Sequence, residues 1–152
     1  MLSYVPPLET LCECLGISAA NLNSDGQIKV SAAGLRLLVQ AAIAGMAIDT
    51  DRYAKQNPDL TASYKAGDKV GLRHHFATRG YFEGREMPVA DFDVEYYTSH
   101  NPDVAKAYLA GAITSPSDHY ISTGVYEFRA PKKELESTVG AWASLAKSRK
   151  AG

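Results

Sequence analysis

Residues 49–85 read DTDRYAKQNPDLTASYKAGDKVGLRHHFATRGYFEGR, and residues 93–129 read DVEYYTSHNPDVAKAYLAGAITSPSDHYISTGVYEFR. The two stretches align without a gap at a constant offset of 44 residues. Twelve of the thirty-seven aligned positions are identical: Asp49/Asp93, Tyr53/Tyr97, Asn57/Asn101, Pro58/Pro102, Asp59/Asp103, Tyr64/Tyr108, Ala66/Ala110, Gly67/Gly111, His75/His119, Gly80/Gly124, Glu83/Glu127 and Arg85/Arg129. Because self-similarity at a fixed period is typical of repeated structural units, we predict one small motif present twice in tandem.

The first half of each unit is predicted to contain a short helix that carries the shared tyrosine and begins near Asp51 or Glu95. An Asn-Pro-Asp sequence follows. Proline cannot continue a helix, and it disfavours the helical conformation in the residue before it. The pattern therefore predicts that Asn57 and Asn101 cap a second helix, with proline at its first position.

The second helix is predicted to end at Gly67 or Gly111, since glycine suits the left-handed position after a helix. A third helix, which follows Ser115 in the second copy, carries the His-aromatic pair and ends at Gly80 or Gly124. A turn then brings the shared glutamate and arginine before a proline. Each unit is thus predicted to be a set of short helices separated by proline and glycine.

The flanking segments are also predicted to be helical. One short helix covers residues 8–15, and Ser31 is the predicted N-cap of a longer helix that runs to about Gly45. Residues 134–150 form a final amphipathic helix, with apolar residues Leu135, Val139, Trp142 and Leu145. We predict an all-α chain in one compact domain, with flanking helices that cap the two repeats. Its segments are residues 1–48, 49–88, 89–131 and 132–152.

Composition excludes several classes of protein. The chain has 152 residues and a formal net charge of −1, so its overall field does not attract nucleic acid. The most apolar run, residues 35–48, is too short to span a bilayer. The residues from Met1 to Pro7 lack the features of a secretory signal, and Cys12 and Cys14 are poorly spaced for a disulfide. These features predict a cytoplasmic protein with reduced cysteines and no cofactor.

The repeated pattern Tyr-x3-Asn-Pro-Asp, His-aromatic and Gly-x2-Glu-x-Arg resembles a short helical repeat of bacterial proteins. That repeat occurs in glycosyltransferases, in polysaccharide-biosynthesis proteins and in secreted calcium-binding proteins of the haemolysin type. The resemblance covers residues 49–131, and Phe128 departs from it by replacing the glycine present as Gly84. It implies an accessory part in cell-surface polysaccharide production and not the site of glycosyl transfer.

His75 and His119 are the first candidate site residues. Two histidines at equivalent positions are able to form a metal site or an acid–base pair if the units bring them together. The favoured interpretation is structural, because structural residues recur in every copy of a repeat. On that interpretation each histidine packs beside its aromatic neighbour and hydrogen-bonds to a backbone carbonyl.

Arg85 and Arg129 are the second candidates, because guanidinium groups bind carboxylate and phosphate well. The favoured alternative is that each arginine, with the nearby Glu83 or Glu127, ties its turn to the aspartate of Asn-Pro-Asp or to free carbonyls. The residues assigned a structural role in the repeat are Tyr53, Asn57, Pro58, Asp59, His75, Tyr97, Asn101, Pro102, Asp103 and His119.

The tyrosines divide into two groups. The pairs Tyr53/Tyr97 and Tyr64/Tyr108 recur, which favours a role in the core. Tyr81, Tyr96 and Tyr126 have no identical partner and, together with Arg85 and Arg129, are the predicted ligand or partner surface.

The loop Asn21–Ile28 resembles the front of a calcium-binding loop, but Ala32 stands where a bidentate acid is required. A turn is the favoured interpretation, so no metal site is predicted. The chain also lacks known catalytic motifs. We therefore expect a non-catalytic interaction or scaffold module with a protein partner. The alternatives are a self-assembling structural protein and, less favoured, a metal-binding protein or enzyme that uses His75 and His119.

Overall fold

The computed structural model describes residues 4–150, and in this range all regular elements are helical, which confirms the predicted all-α class. The predictions made for residues 1–3 and 151–152 lie outside the described residues. The contacts divide the chain into two compact units, Met1–Pro88 and Val89–Gly152. No helix among the described residues is both long and apolar enough to cross a membrane.

Within residues 4–88, the first unit contains five α-helices, a 3-10 turn and a π-helical turn. The helices are α1 (Leu8–Leu15), α2 (Ala19–Leu22), α3 (Ala32–Ala44), α4 (Thr50–Gln56) and α5 (Lys69–His75), the 3-10 turn is Pro58–Ala62, and the π turn is Phe76–Gly80.

In the described part of the second unit, residues 89–150, there are four α-helices, a π turn and a 3-10 turn. The helices are α6 (Val94–His100), α7 (Pro102–Leu109), α8 (Pro116–His119) and α9 (Glu136–Lys150), the π turn is Tyr120–Gly124, and the 3-10 turn is Lys133–Leu135.

Side-chain caps begin several of these helices. The Asp49 carboxylate accepts from the Arg52 amide at 2.9 Å, and Asp93 accepts from the Tyr96 amide at 2.9 Å. The predicted caps Ser31 and Ser115 are confirmed, since each hydroxyl accepts from the backbone amide three residues later. Polar side chains that satisfy free amides therefore set these boundaries.

Asn57 and Asn101 occupy the predicted N-cap positions, with proline first in the helical segment that follows. Neither makes a side-chain cap bond, so that part of the prediction is wrong. Instead, each side-chain amide donates to the carbonyl of the shared tyrosine four residues earlier, at 2.8 Å from Asn57 and 2.7 Å from Asn101. The Oδ1 atom of each asparagine accepts from an arginine, so it is not used for a cap.

The predicted end of the second helix is correct in one copy only. In the second copy, α7 ends at Leu109 and Gly111 adopts a left-handed φ of 71°. In the first copy, a 3-10 turn stops at Ala62, well before Gly67. The 3-10 hydrogen-bond geometry is poorer than that of an α-helix, so such runs stay short.

Aromatic residues form much of the buried interior of each unit. Tyr53 and Phe76 are fully buried in the first unit, and Tyr97 is fully buried in the second. The buried cluster of the first unit is Ile43, Ile48, Tyr53, Leu60, Leu72, Phe76 and Ala77, and that of the second is Tyr97, Val104, Tyr120 and Ile121. The prediction that Tyr108 fills the core is wrong, because it is 47% exposed and Val104 is the last buried residue of α7.

Candidate functional site

The shared tyrosine and histidine of each unit form a pair through their side chains, which we call the Tyr–His pair. The Tyr53 hydroxyl lies 2.9 Å from His75 Nδ1, and the Tyr97 hydroxyl lies 3.1 Å from His119 Nδ1. The predicted hydrogen bond from histidine to a backbone carbonyl is therefore replaced by one to a side chain. The predicted packing beside aromatic residues is confirmed for His75, whose ring also meets Tyr64 edge-on at 5.8 Å.

Burial determines the protonation of the Tyr–His pair. Burial raises the pKa of Tyr53 and of Tyr97 to about 12, so both hydroxyls keep their proton at neutral pH. Burial also lowers the pKa of His75, with a further contribution from the positive charge of Arg85. A neutral His75 forms this bond in either direction, as acceptor from the Tyr53 hydroxyl or as donor from Nδ1, depending on its tautomer. The bond holds the histidine ring in place.

Each π turn lies where the hydroxyl of the shared tyrosine comes close to the helix backbone. A Cβ atom built on Gly80 lies 2.1 Å from the Tyr53 Oη atom, and one built on Gly124 lies 2.1 Å from the Tyr97 Oη atom. Only glycine leaves room for an oxygen this close to the backbone. The two shared glycines therefore end the third helix by accommodating the tyrosine, and the left-handed conformation is found four residues later.

Arg85 lies at the centre of a second set of contacts, which we call the Arg network. Its Nε atom donates to Glu83 at 2.8 Å, and Nη1 donates to Asn57 at 2.8 Å. Nη1 and Nη2 also bind both oxygens of Asp59, at 3.0 and 2.9 Å. The hydrogen bonds from Arg85 lower the pKa of Asp59, and those carboxylates raise the pKa of Arg85.

Arg129 makes the same contacts in the second unit. It binds Glu127 at 2.7 Å, Asn101 at 3.0 Å, and Asp103 with two bonds at 3.0 and 2.9 Å. The favoured interpretation, in which the arginine ties its turn to the aspartate of Asn-Pro-Asp, is confirmed in both units. Each guanidinium donates four of its five N–H groups to protein oxygens, so little of its hydrogen-bonding capacity remains for an anion.

The three tyrosines of the predicted ligand surface differ in their surroundings. Tyr81 is exposed and meets Phe76 and Phe82 edge-on. Tyr96 is half-buried and stacks on His100 with 4.1 Å between ring centroids. Tyr126 is 74% exposed. Tyr81 belongs to the first unit and Tyr96 and Tyr126 to the second, and their role as a ligand or partner surface stays a prediction.

Metal binding has little support in the geometry. Among residues 4–150, no three His, Cys, Asp or Glu side chains are grouped so that they could hold a metal ion. His75 and His119 already use Nδ1 to bind a tyrosine of their own unit.

A different candidate surface lies between α1 and α3 in the first unit. It is an apolar groove of about 340 Å³, which we call the α1/α3 groove. Its lining includes Tyr4, Leu11, Leu15, Leu37, Leu38 and Ala41, with Gln40 as a polar side chain. Gly34 lets the helices approach closely, because a Cβ atom there would lie 2.6 Å from Leu15 Cδ2.

The α1/α3 groove was not predicted from the sequence, although α3 carries a signal for it. This helix has apolar residues on every side and Arg36 as its charged residue, a composition typical of a buried helix. Yet Ile43 is its one buried residue, and Leu37 is 66% exposed. This helix therefore leaves an unusually large part of its apolar surface exposed for its composition.

Comparisons with known proteins give no further guidance: no protein-family model, no curated protein and no solved structure matches the chain.

Proposed function

We propose that this chain is a non-catalytic protein-interaction module whose docking surface is the α1/α3 groove. The observation that carries the proposal is the groove itself, an apolar concavity beside the exposed Leu37. Its size and lining fit the apolar side chains that an amphipathic helix inserts into a partner. Burying one leucine in this way contributes about 1.5–3 kcal/mol, so a few such residues provide a useful affinity.

The state of the polar residues supports a role without catalysis. Tyr53, His75 and Arg85 bind other groups of their own unit, and the same bonds recur in the second unit. A catalytic group must instead reach a substrate at a hydrogen-bond distance. The recurring residues thus maintain the fold, and binding falls to the exposed apolar surface.

The cellular role that we propose is accessory to cell-surface polysaccharide production in a bacterium. It rests on the resemblance of residues 49–131 to the repeat found in polysaccharide-biosynthesis proteins and glycosyltransferases. We place the protein in the cytoplasm, because Cys12 and Cys14 are free thiols and Cys14 is exposed. The partner is then a protein of the polysaccharide-synthesis machinery, or a second copy of this chain.

Affinity purification from the native cell with matched variants tests this function. Leu37→Glu places a charge in the groove, whereas Leu109→Glu changes an 86% exposed residue of α7 that lies outside it. We expect quantitative mass spectrometry to show a protein captured by the wild type and by Leu109→Glu but reduced at least about tenfold with Leu37→Glu.

Circular dichroism confirms that both variants remain folded. A captured set that is the same for wild type and Leu37→Glu contradicts the role of the groove. Partners without any link to polysaccharide synthesis contradict the cellular role alone.

A further inference from the structure

We infer that the α1/α3 groove binds helix α9 of a second copy of this chain. The inference rests on the proposed function, since it names the helix that the groove receives. Three observations carry it: the lack of buried residues in α9, the apolar face of that helix, and the opposite charges of the two surfaces.

Helix α9 has half-buried residues at Val139, Ala143 and Ala146, and the rest of residues 136–149 are exposed. None of residues 136–149 is buried, and the principal neighbour of the helix is the adjacent turn Lys133–Leu135. An isolated helix of about this length is only marginally stable in water, because most helices depend on packing of an apolar face. A partner that covers one face of α9 therefore supplies stability that the single chain lacks.

The exposed face of α9 has the pattern of a docking helix. Trp142 is 62% exposed and Leu145 is 57% exposed. Residues at i, i+3 and i+7 share one side of a helix, so Arg149 continues the face defined by Trp142 and Leu145. One large aromatic and one leucine are suited to a groove lined by leucines.

The two surfaces carry opposite charges. Residues 4–28 contain Glu9, Glu13 and Asp25 and no lysine or arginine, whereas α9 has its acid, Glu136, at its start and the cations Lys147 and Arg149 near its end. Glu9 and Glu13 lie on exposed positions of α1, so they orient the approaching helix and do not fill the groove.

The remaining charge near the groove does not oppose this match. Arg36, on α3, lies over the Phe82 ring at 4.2 Å, so its guanidinium group is engaged by the aromatic face. Gln40 is the uncharged polar side chain of the lining. Among the described residues that line the groove, none is a lysine or arginine.

Disulfide trapping tests the inference. Cys14 is an exposed thiol that lines the groove, and Cys12 is buried. In a Cys12→Ala background, Leu145→Cys places a second thiol on the docking face. We expect mild oxidation to give a disulfide-linked dimer at least about tenfold faster than in the matched Val70→Cys control, whose valine is exposed on α5. Cys14→Ser must abolish the fast reaction.

Two results of this experiment would overturn the inference. If Cys14 forms a disulfide with the thiol introduced by Leu145→Cys and the product runs as a monomer on a non-reducing gel, the groove residue lies against the helix of the same chain. Equal rates for Leu145→Cys and Val70→Cys show only random collision.

Light scattering provides a second, non-covalent test. We expect the mass of the wild type to rise with concentration, and Trp142→Glu to weaken this association at least about tenfold. The paired reversal Lys147→Glu and Arg149→Glu also weakens it, and adding Glu9→Lys and Glu13→Lys restores part of the loss. A wild type that stays monomeric overturns the inference. If Leu37→Glu still loses a captured protein in that case, the proposed function survives with another partner.

Discussion

At the scale of single residues, the shared tyrosine of each unit meets three requirements. Its ring is fully buried, its hydroxyl binds the histidine, and its backbone carbonyl accepts from the asparagine. The glycine of the π turn exists to leave space for that hydroxyl. Tyr, Asn, His and Gly therefore recur together because they contact the same residue.

Two glycine-to-alanine changes with opposite expected signs test this explanation. In Gly80→Ala the methyl group occupies the position of the Tyr53 oxygen, so we expect the free energy of unfolding to fall by about 2 kcal/mol or more. Gly140 lies in α9 with nothing within 4 Å of its Cβ position. Gly140→Ala should therefore be neutral or stabilising by up to about 1 kcal/mol, through helix propensity alone.

Urea denaturation measures both changes. If Gly80→Ala is as mild as Gly140→Ala, the close approach of the tyrosine hydroxyl does not explain the glycine.

The sequence predicted the structural roles of these residues better than their hydrogen-bond partners. Recurrence in both copies favoured a structural role for His75. For Arg85 a structural role was favoured from its position in a turn, while the residue was also assigned to the predicted ligand or partner surface. The hydrogen-bond partner of His75 was missed, because Tyr53 lies 22 residues away and the pair forms only through the tertiary fold. The prediction for Arg85 left two kinds of partner open, the aspartate of Asn-Pro-Asp and free carbonyls, and the structure has Arg85 on Asp59.

At the scale of elements, the turn after each π segment differs between the two units. Gly84 adopts a φ of 73°, and Phe128 at the equivalent position adopts a φ of 55°. A residue with a side chain is strained in this left-handed region by about 1–2 kcal/mol. Glu127 and Arg129 flank Phe128, and the hydrogen bond between their side chains holds the turn in this conformation.

Exchange of these two residues tests the strain. We expect Phe128→Gly to raise the free energy of unfolding by about 1 kcal/mol, because relief of strain exceeds the entropic cost of glycine. Gly84→Phe should lower it by a similar amount. Thermal unfolding followed by circular dichroism distinguishes the two, and a drop in the melting temperature of Phe128→Gly would show that packing of the ring outweighs the strain.

Helices with a polar cap or a proline at the start were predicted well. The predicted residues 8–15 agree with α1, and Ser31 and Ser115 begin α3 and α8. The π turns were missed because a side chain from another helix causes them. The 3-10 turn Pro58–Ala62 was missed because its sequence up to Leu60 differs little from the start of α7.

At the scale of the whole molecule, His75 links stability to pH. The pKa of His75 in the folded chain is below its ordinary value of 6.5, so the unfolded chain binds more protons in that interval. The contribution of neutral His75 to the free energy of unfolding is therefore fully present above pH 6.5 and is lost as pH falls through the lowered pKa. The pKa values of Asp59 and Asp103 are also lowered, so their contribution to stability is lost as pH falls below the ordinary value of 3.8.

Urea midpoints at about pH 7 and about pH 5 measure this dependence. We expect the wild type to be less stable at the lower pH and His75→Gln to lose part of that difference. His74→Gln is the matched control, because His74 is exposed and should leave the difference unchanged. An equal pH dependence in wild type and His75→Gln would show that another group is responsible.

The sequence predicted the helical class of the molecule but not its candidate binding surface. From the sequence alone, the apolar residues of α3 and α9 are expected to pack into a core. Hydrophobic periodicity shows which side of a helix is apolar but not what covers that side. The structure instead leaves Leu37 and Trp142 exposed. Whether a face is covered depends on how the helices are placed in space, which local pattern does not contain.

The tyrosine oxygen close to each glycine limits which substitutions the glycine position accepts. In Tyr53→Phe the hydroxyl is gone, and the ring atom of residue 53 nearest to a methyl group on residue 80 would be a carbon at 3.2 Å. A small shift relieves this contact. Alanine at position 80 is therefore tolerated once Tyr53 has lost its hydroxyl, whereas alanine destabilises the fold while the hydroxyl is present. The order of the two substitutions matters, and the change at Tyr53 must come first.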